Sequence, residues 1–202
     1  MKALRIVLFV KAPLAGFAKT RLIPKLGEQG AADLAATLFQ HALNQAVLAN
    51  IGSVELCVTP DAQHPIWSSF SIPDGIHWTE QGDGDLGERL SRAAQRVTDG
   101  GETVLLMGTD CPALDSACLK NVAQSLRDND VCMVPVSDGG YALLGLNQYQ
   151  HAVFSGIPWS TDKVAMLTKQ KIAAMNWRFA ALKELNDIDE PEDLKYLPDG
   201  FC

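Results

Sequence analysis

Long apolar runs are missing from this chain. None approaches the ~20 residues that cross a bilayer, and the stretch bracketed by Arg5 and Lys11 is too short for a secretory signal core. The chain therefore reads as cytoplasmic, with no membrane partner expected. Positive charge is scarce as well: 17 Lys and Arg stand against 24 Asp and Glu, a net charge of −7. Such a field repels nucleic acid and anionic membranes alike. Nucleic acid is therefore not an expected partner, and any phosphate ligand needs a local basic patch or a cation. Cysteines Cys57, Cys111, Cys118, Cys132 and Cys202 form an odd set without a C-x-x-C pair, so neither a disulfide framework nor a zinc knuckle is indicated. They read as buried small hydrophobes. His41, His64, His77 and His151 lack metal-ligand spacing such as H-E-x-x-H, and no G-x-S-x-G elbow is present.

What remains is a globular composition. The 202 residues are 47% hydrophobic and 20% charged, enough for a sizeable core and consistent with one α/β domain over residues 1–202. A homodimer is allowed for. Apolar β-rich runs at residues 4–10, 54–58, 104–107, 131–134, 141–146 and 178–182 read as strands, with a weaker one at 76–79. Helical spacing begins at Gly27 (Ala31, Leu34, Ala35, Leu38, Ala42, Ala46) and recurs over Leu86–Val97. Asp115 is a candidate cap for a helix through about Arg127, and Ser160 or Thr161 for one carrying Val164, Leu167 and Ile172. Pro191 suits the first turn of a short final helix, and residues 65–70 fit no single element. Strands alternating with helices predict a mostly parallel sheet covered on both faces, a Rossmann-like three-layer α/β/α architecture.

In open α/β sheets ligands gather at the carboxyl ends of strands. Three segments fall there. The loop Lys11-Ala12-Pro13-Leu14-Ala15-Gly16-Phe17-Ala18-Lys19-Thr20-Arg21 puts three cations into an acidic chain, which suits a polyphosphate. A solvated basic loop is the plainer reading. It is not a Walker loop, because Pro13 and Ala18 hold its glycine positions and proline offers no amide proton. Asp110 follows the strand at 104–107, where a carboxylate can hold magnesium or form a turn before Pro112. Asp187 and Asp189 lie two apart, so an extended segment presents both on one side, able to grip a cation together with Asp110. Asp189 also suits a helix cap before Pro191.

Other features have competing readings. Gly82-Asp83-Gly84-Asp85-Leu86-Gly87 spells G-x-G-x-x-G, but Asp83 and Asp85 would sit beside a pyrophosphate, and a polar rim loop fits better. Asp138-Gly139-Gly140 reads as a hairpin turn or a place where an acceptor lies against backbone. Trp159-Ser160-Thr161 reads as packing or acceptor contact. An acidic neighbour should raise the Cys111 thiol and make it a poor nucleophile.

Taken in order, Phe9-Val10-Lys11-Ala12-Pro13 with Gly16 and Lys19-Thr20-Arg21-Leu22, Gly84-Asp85-Leu86-Gly87-Glu88-Arg89, Gly108-Thr109-Asp110-Cys111-Pro112, Asp138-Gly139-Gly140-Tyr141, Ile157-Pro158-Trp159-Ser160-Thr161 and Asp187-Ile188-Asp189 resemble the bacterial glycosyltransferase-like family of the nucleotide-diphospho-sugar transferase (GT-A) superfamily. These motifs run from residue 9 to about 194. The resemblance implies a first loop (Lys11, Ala12, Pro13, Gly16, Lys19, Thr20, Arg21), with Asp85 and Gly87, around a nucleotide. It implies Mg2+ or Mn2+ at Asp110, and acceptor contacts from Asp138, Gly139, Gly140, Trp159, Ser160 and Thr161. Related phospholactate guanylyltransferases place metal on late aspartates, here Asp187 and Asp189. The implied activity is metal-dependent transfer of a nucleotidyl or glycosyl group from a nucleoside triphosphate or NDP-sugar to a small acceptor, with Lys19, Arg21 and Asp110 catalytic. A nucleotide-binding module without turnover and a nicotinamide oxidoreductase are the alternatives.

Overall fold

A seven-stranded sheet in the order β3-β2-β1-β4-β6-β5-β7 forms the centre of the protein, seen in a computed structural model that describes residues 2–198 and 200–201. Strands β1 (Leu4–Lys11), β2 (Ser53–Thr59), β3 (His77–Glu80) and β4 (Thr103–Met107) are mutually parallel. β6 (Tyr141–Leu146) runs antiparallel between β4 and β5 (Val131–Pro135), and β7 (Phe179–Ala181) returns parallel to β5. The central strands read as unbroken apolar runs because both faces are covered. Every residue of β4 and of β5 is buried.

Alternate residues feed alternate layers. Ile6, Leu8, Leu105 and Met107 pack with Phe39 and Leu43 of α1 (Ile23–Ala49) and Leu119 and Val122 of α3 (Ser116–Ser125). Val7, Val104 and Leu106 pack with Leu90, Ala94 and Val97 of α2 (Leu86–Asp99) and with Ala165 and Ile172 of α4 (Val164–Ala174). Full burial of one such leucine stabilises by roughly 2 kcal/mol. The expected three-layer α/β/α architecture is what the chain adopts.

A third, smaller cluster matters more for function. Leu22, just after the basic loop, and Ile188, between the late aspartates, are both fully buried against Ala31, Leu34 and Leu38 of α1. Two loops distant in sequence are thereby pinned to one helix.

Several local expectations change. α1 starts at Ile23, with Pro24 in its first turn, and runs on past Gly27, whose φ of 73° and ψ of 167° break the helical path. Asp115 caps α3 by accepting from the Cys118 amide, but the helix stops at Ser125 rather than Arg127. Neither Ser160 nor Thr161 caps α4. Ser160 is left-handed (φ 62°), the Thr161 hydroxyl donates to the Pro158 carbonyl at 2.7 Å, and Lys163 stands at the helix start. Asp189 does not cap the final turn at Pro191–Tyr196. Glu190 stands at the cap, and Asp193, three residues on, reaches back so that its carboxylate accepts from the amides of Asp189 and Glu190 at 3.0 and 2.7 Å. Residues Pro65–Ser69 form a short 3-10 turn that buries Trp67 edge-on to Phe39. Cys57, Cys111 and Cys132 are buried and Cys118 is half-buried, all as free thiols, while Cys202 lies outside the described residues.

Candidate active site

β1 and β4 end side by side, and a cleft of about 420 Å³ opens at their carboxyl ends. The basic loop enters it from one side. Ala12 extends the ladder, its amide donating to the Thr59 carbonyl at 2.9 Å, and Gly16 (φ 74°) makes the turn that the Leu14 carbonyl closes by accepting from Phe17 and Ala18. Ala12, Pro13 and Gly16 thus shape the loop without lining the cleft, whereas Lys11, Ala18, Lys19, Thr20 and Arg21 do line it. The Lys11 ammonium sits 4.2 Å from the centre of the Phe17 ring. Lys19 adopts a left-handed backbone (φ 48°) before a short turn over Thr20–Leu22, and the buried Leu22 anchors that turn.

The acids arrive from the opposite side. With Ile188 buried against α1, the period of two sends Asp187 and Asp189 toward the cleft. The Ile188 amide donates to the Asp110 carbonyl at 2.9 Å, tying the late segment to the end of β4. Lys19 Nζ bridges the two: it lies 2.8 Å from Asp110 Oδ1, donates to the Ile188 carbonyl at 2.6 Å, and is 3.6 Å from Asp189 Oδ1. Arg21 pairs with Asp189 Oδ2 at 2.6 Å and lies 3.4 Å from Glu190. The structure therefore gathers Lys11, Lys19, Thr20, Arg21, Asp110, Asp187 and Asp189 at one place.

Asp187 is the electrostatic centre of this cluster. Burial, then the charge of Asp138, then those of Asp189 and Asp110 push its carboxyl up to about 6 from an ordinary 3.8, against a lowering backbone hydrogen bond. These are hard oxygen donors short of positive charge, the chemistry that suits magnesium or manganese. In their present arrangement Lys19 supplies that charge to Asp110 and Arg21 supplies it to Asp189. Among the described residues no three His, Cys, Asp or Glu side chains stand close enough to hold a metal without adjustment.

The glycine-rich stretch is not a dinucleotide loop. Asp85 caps α2 in a reciprocal box with Glu88, with bonds of 2.9 Å each way. Gly87 is buried beneath Trp159, and a Cβ there would lie 2.0 Å from Trp159 Nε1. Neither Asp85 nor Gly87 lines the cleft, as their placement in a nucleotide site required; Leu86, between them, does. Gly139 (φ 89°) also serves close packing, since a Cβ would meet the Asp162 backbone at 2.1 Å. Asp138, Gly140, Trp159, Ser160 and Thr161 line an adjoining cavity of about 210 Å³. Phe9, Leu86, Tyr141 and Ala142 line both spaces and were missed as site residues. Phe9 and Tyr141, at a strand end and a strand start, carry the positional signal that could have found them. Cys111 is buried and its thiol is pushed up to about 12, first by burial, with Asp187 adding to the shift against hydrogen bonds from the Ala113 and Leu114 amides. It is no nucleophile.

A mostly parallel sheet with a charged cleft at the ends of β1 and β4 defines a nucleotide-diphospho-sugar transferase fold. The chain belongs to the bacterial family described as "Uncharacterized protein conserved in bacteria (DUF2064)", which residues 42–161 match. It is 31% identical to a protein of Desulfovibrio desulfuricans G20 described as a "putative nucleotide-diphospho-sugar transferase". That match covers 96% of this chain and 85% of the other, with a TM-score of 0.88. The same fold occurs in 4-diphosphocytidyl-2C-methyl-D-erythritol synthase of Anaerococcus prevotii DSM 20548, at 10% identity, 96% coverage of each chain and a TM-score of 0.62. It occurs again in Rv0371c of Mycobacterium tuberculosis H37Rv, solved with manganese, at 17% identity, 99% and 100% coverage and a TM-score of 0.52. No curated protein matches the chain. No described helix is long and apolar enough to cross a membrane.

Proposed function

We propose that this protein is a metal-assisted transferase that binds a nucleoside triphosphate or NDP-sugar and passes a nucleotidyl or glycosyl group to a small acceptor. One observation carries the reading: the cations Lys11, Lys19 and Arg21 and the acids Asp110, Asp187 and Asp189 converge on one cleft at the carboxyl ends of β1 and β4. The 31%-identical relative's description and the manganese in a protein of the same fold support it.

Arg21 offers a planar fork and Lys19 a point charge to phosphate oxygens, so both neutralise charge that builds on the leaving phosphate. Asp110, Asp187 and Asp189 would hold Mg2+ or Mn2+, which when bound supplies charge neutralisation at the phosphate oxygens. In nucleotidyl transfer the acceptor oxygen bonds to the α-phosphorus as the bond to the bridging oxygen breaks, and pyrophosphate leaves. In glycosyl transfer that oxygen bonds to the anomeric carbon and the nucleoside diphosphate leaves. In both, the acceptor's proton passes to water. The chain's contribution is positioning and charge, so no dedicated protein nucleophile is needed.

Calorimetric titration with nucleoside triphosphates and NDP-sugars, with and without magnesium or manganese, tests the reading. Metal-dependent binding that Asp110→Asn abolishes is the expected result. Binding without any product in acceptor assays would instead make the protein a nucleotide-binding module, and no binding at all would overturn the proposal.

A further inference from the structure

The two spaces of the site differ in which charges line them. The larger cleft mixes Lys11, Lys19 and Arg21 with Asp110, Asp187 and Asp189, whereas the adjoining cavity of about 210 Å³ has no lysine or arginine in its wall and only Asp138 and Asp187 as charged residues. The rest of that wall is mainly apolar, with Leu90, Met107, Trp159 and Val164 contributing. Its outer rim runs on into Asp162, Glu190 and Asp193, where the one cation, Arg21, is paired with Asp189 and Glu190.

The polar groups near this cavity are largely engaged elsewhere. The Gly140 amide donates to Asp138 Oδ1 at 2.7 Å, and the Thr161 hydroxyl donates to the Pro158 carbonyl. Tyr141 gives the cavity its ring, which meets Trp159 edge-on at 6.4 Å between centroids, while its hydroxyl is buried beside Thr168. An anion seated here would face the Asp138 carboxylate with no lysine or arginine in the wall, and Asp187 as well wherever no ion claims it, an arrangement that disfavours charge of that sign.

We propose, on the basis of the transferase reading above, that the acceptor is a small, apolar-bodied, non-anionic compound: an unphosphorylated and uncarboxylated alcohol or amine whose body lies against Trp159. Phosphate recognition is then confined to the donor half, and the acid-walled half selects against phosphorylated acceptors.

Matched probes test this on the full chain without turnover. The Trp159 indole N–H signal, identified in nitrogen-15 correlation spectra by its loss in Trp159→Phe, is followed during titration with 3,3-dimethyl-1-butanol, choline and the phosphate ester of each at constant ionic strength. Both unphosphorylated probes should shift the signal and bind at least about tenfold more tightly than their esters, a difference equivalent to ~1.4 kcal/mol. Asp138→Asn should narrow that gap. Esters that bind as tightly as the parent alcohols, or a Trp159 signal that no probe moves, would overturn the proposal. Failure of the transferase reading itself would appear separately, as absence of nucleotide binding in calorimetry while the Trp159 shifts persist.

Discussion

Lys19 and Asp110 form the closest link between the basic loop and the end of β4, with Nζ 2.8 Å from Oδ1 and the lysine side chain only 5% exposed. The same ammonium reaches the Ile188 carbonyl, so one positive charge holds together segments separated by 169 residues in sequence. Under the metal-assisted reading proposed above, it occupies the place of the divalent ion.

Lys19→Met keeps most of the stem volume and removes the charge, and its two effects should have opposite signs. Nucleoside triphosphate affinity should fall about tenfold, because a charge-assisted phosphate contact is lost. Affinity for Mn2+ without nucleotide should rise severalfold, because Asp110 loses its internal counter-ion while Asp189 keeps Arg21. Parallel calorimetric titrations check both signs, and a fall in Mn2+ affinity would show that Lys19 does not compete for the carboxylates.

Gly87→Ala should destabilise the fold by roughly 1–3 kcal/mol, the usual cost of overpacking. The added methyl would fall 2.0 Å from Trp159 Nε1, and the indole would have to leave its place in the wall of the smaller cavity. Trp159→Ala in the same chain should recover much of the loss, since the two changes share one contact. Urea unfolding of the single and double variants measures the recovery.

How much of this was visible in the sequence follows from what each signal depends on. The strands and their layering were legible because burial of β4 and β5 on both faces demands continuous apolar runs, and the cap at Asp115 was legible because its partner is three residues away. Lys19, Arg21, Asp110, Asp187 and Asp189 could be nominated from strand ends and spacing. The spacing also suggested that Asp187 and Asp189 reach Asp110, but the meeting of these acids with Lys19 and Arg21 depends on Leu22 and Ile188 sharing a cluster on α1, a tertiary contact that no local pattern announces. Gly87 and Gly139, expected as ligand contacts, carry the same lesson. Their glycines answer to Trp159 and to the Asp162 backbone, neighbours supplied by a distant segment.

Glu55 should make stability fall in acid. Its fully buried carboxylate would be raised by burial alone, but hydrogen bonds from Arg96, Thr79 and Arg5 and the Arg96 charge more than offset this and hold it below the ordinary 4.5. A carboxyl lowered on folding contributes stability that is present above the unfolded value and lost as pH falls through the folded one. The melting temperature should therefore decline below about pH 4.5, and Glu55→Gln should flatten that decline. At neutral pH the same variant should cost about 3 kcal/mol, the low end for breaking a buried pair, because Arg96 is 40% exposed and water can reach it. Thermal unfolding from pH 3 to 7 compares the two proteins.

Asp187 has the opposite sign, which makes its role in the proposed metal site testable by pH. Burial first, then Asp138, Asp189 and Asp110, place its carboxyl near 6, whereas the unfolded chain titrates near 3.8. Between those values the folded state keeps a proton that the unfolded state has released, so this group makes the metal-free protein less stable as pH rises through the window. A divalent ion needs the carboxylate and must displace the proton, so binding below pH 6 should release up to one proton per ion. Mn2+ affinity should rise with pH up to about 6 and level off above it. Calorimetry at pH 5.5 in two buffers of different ionisation enthalpy counts the protons, and Asp187→Asn should reduce both the proton release and the pH dependence. Equal heats in the two buffers for the unaltered chain would remove Asp187 from the ion's coordination.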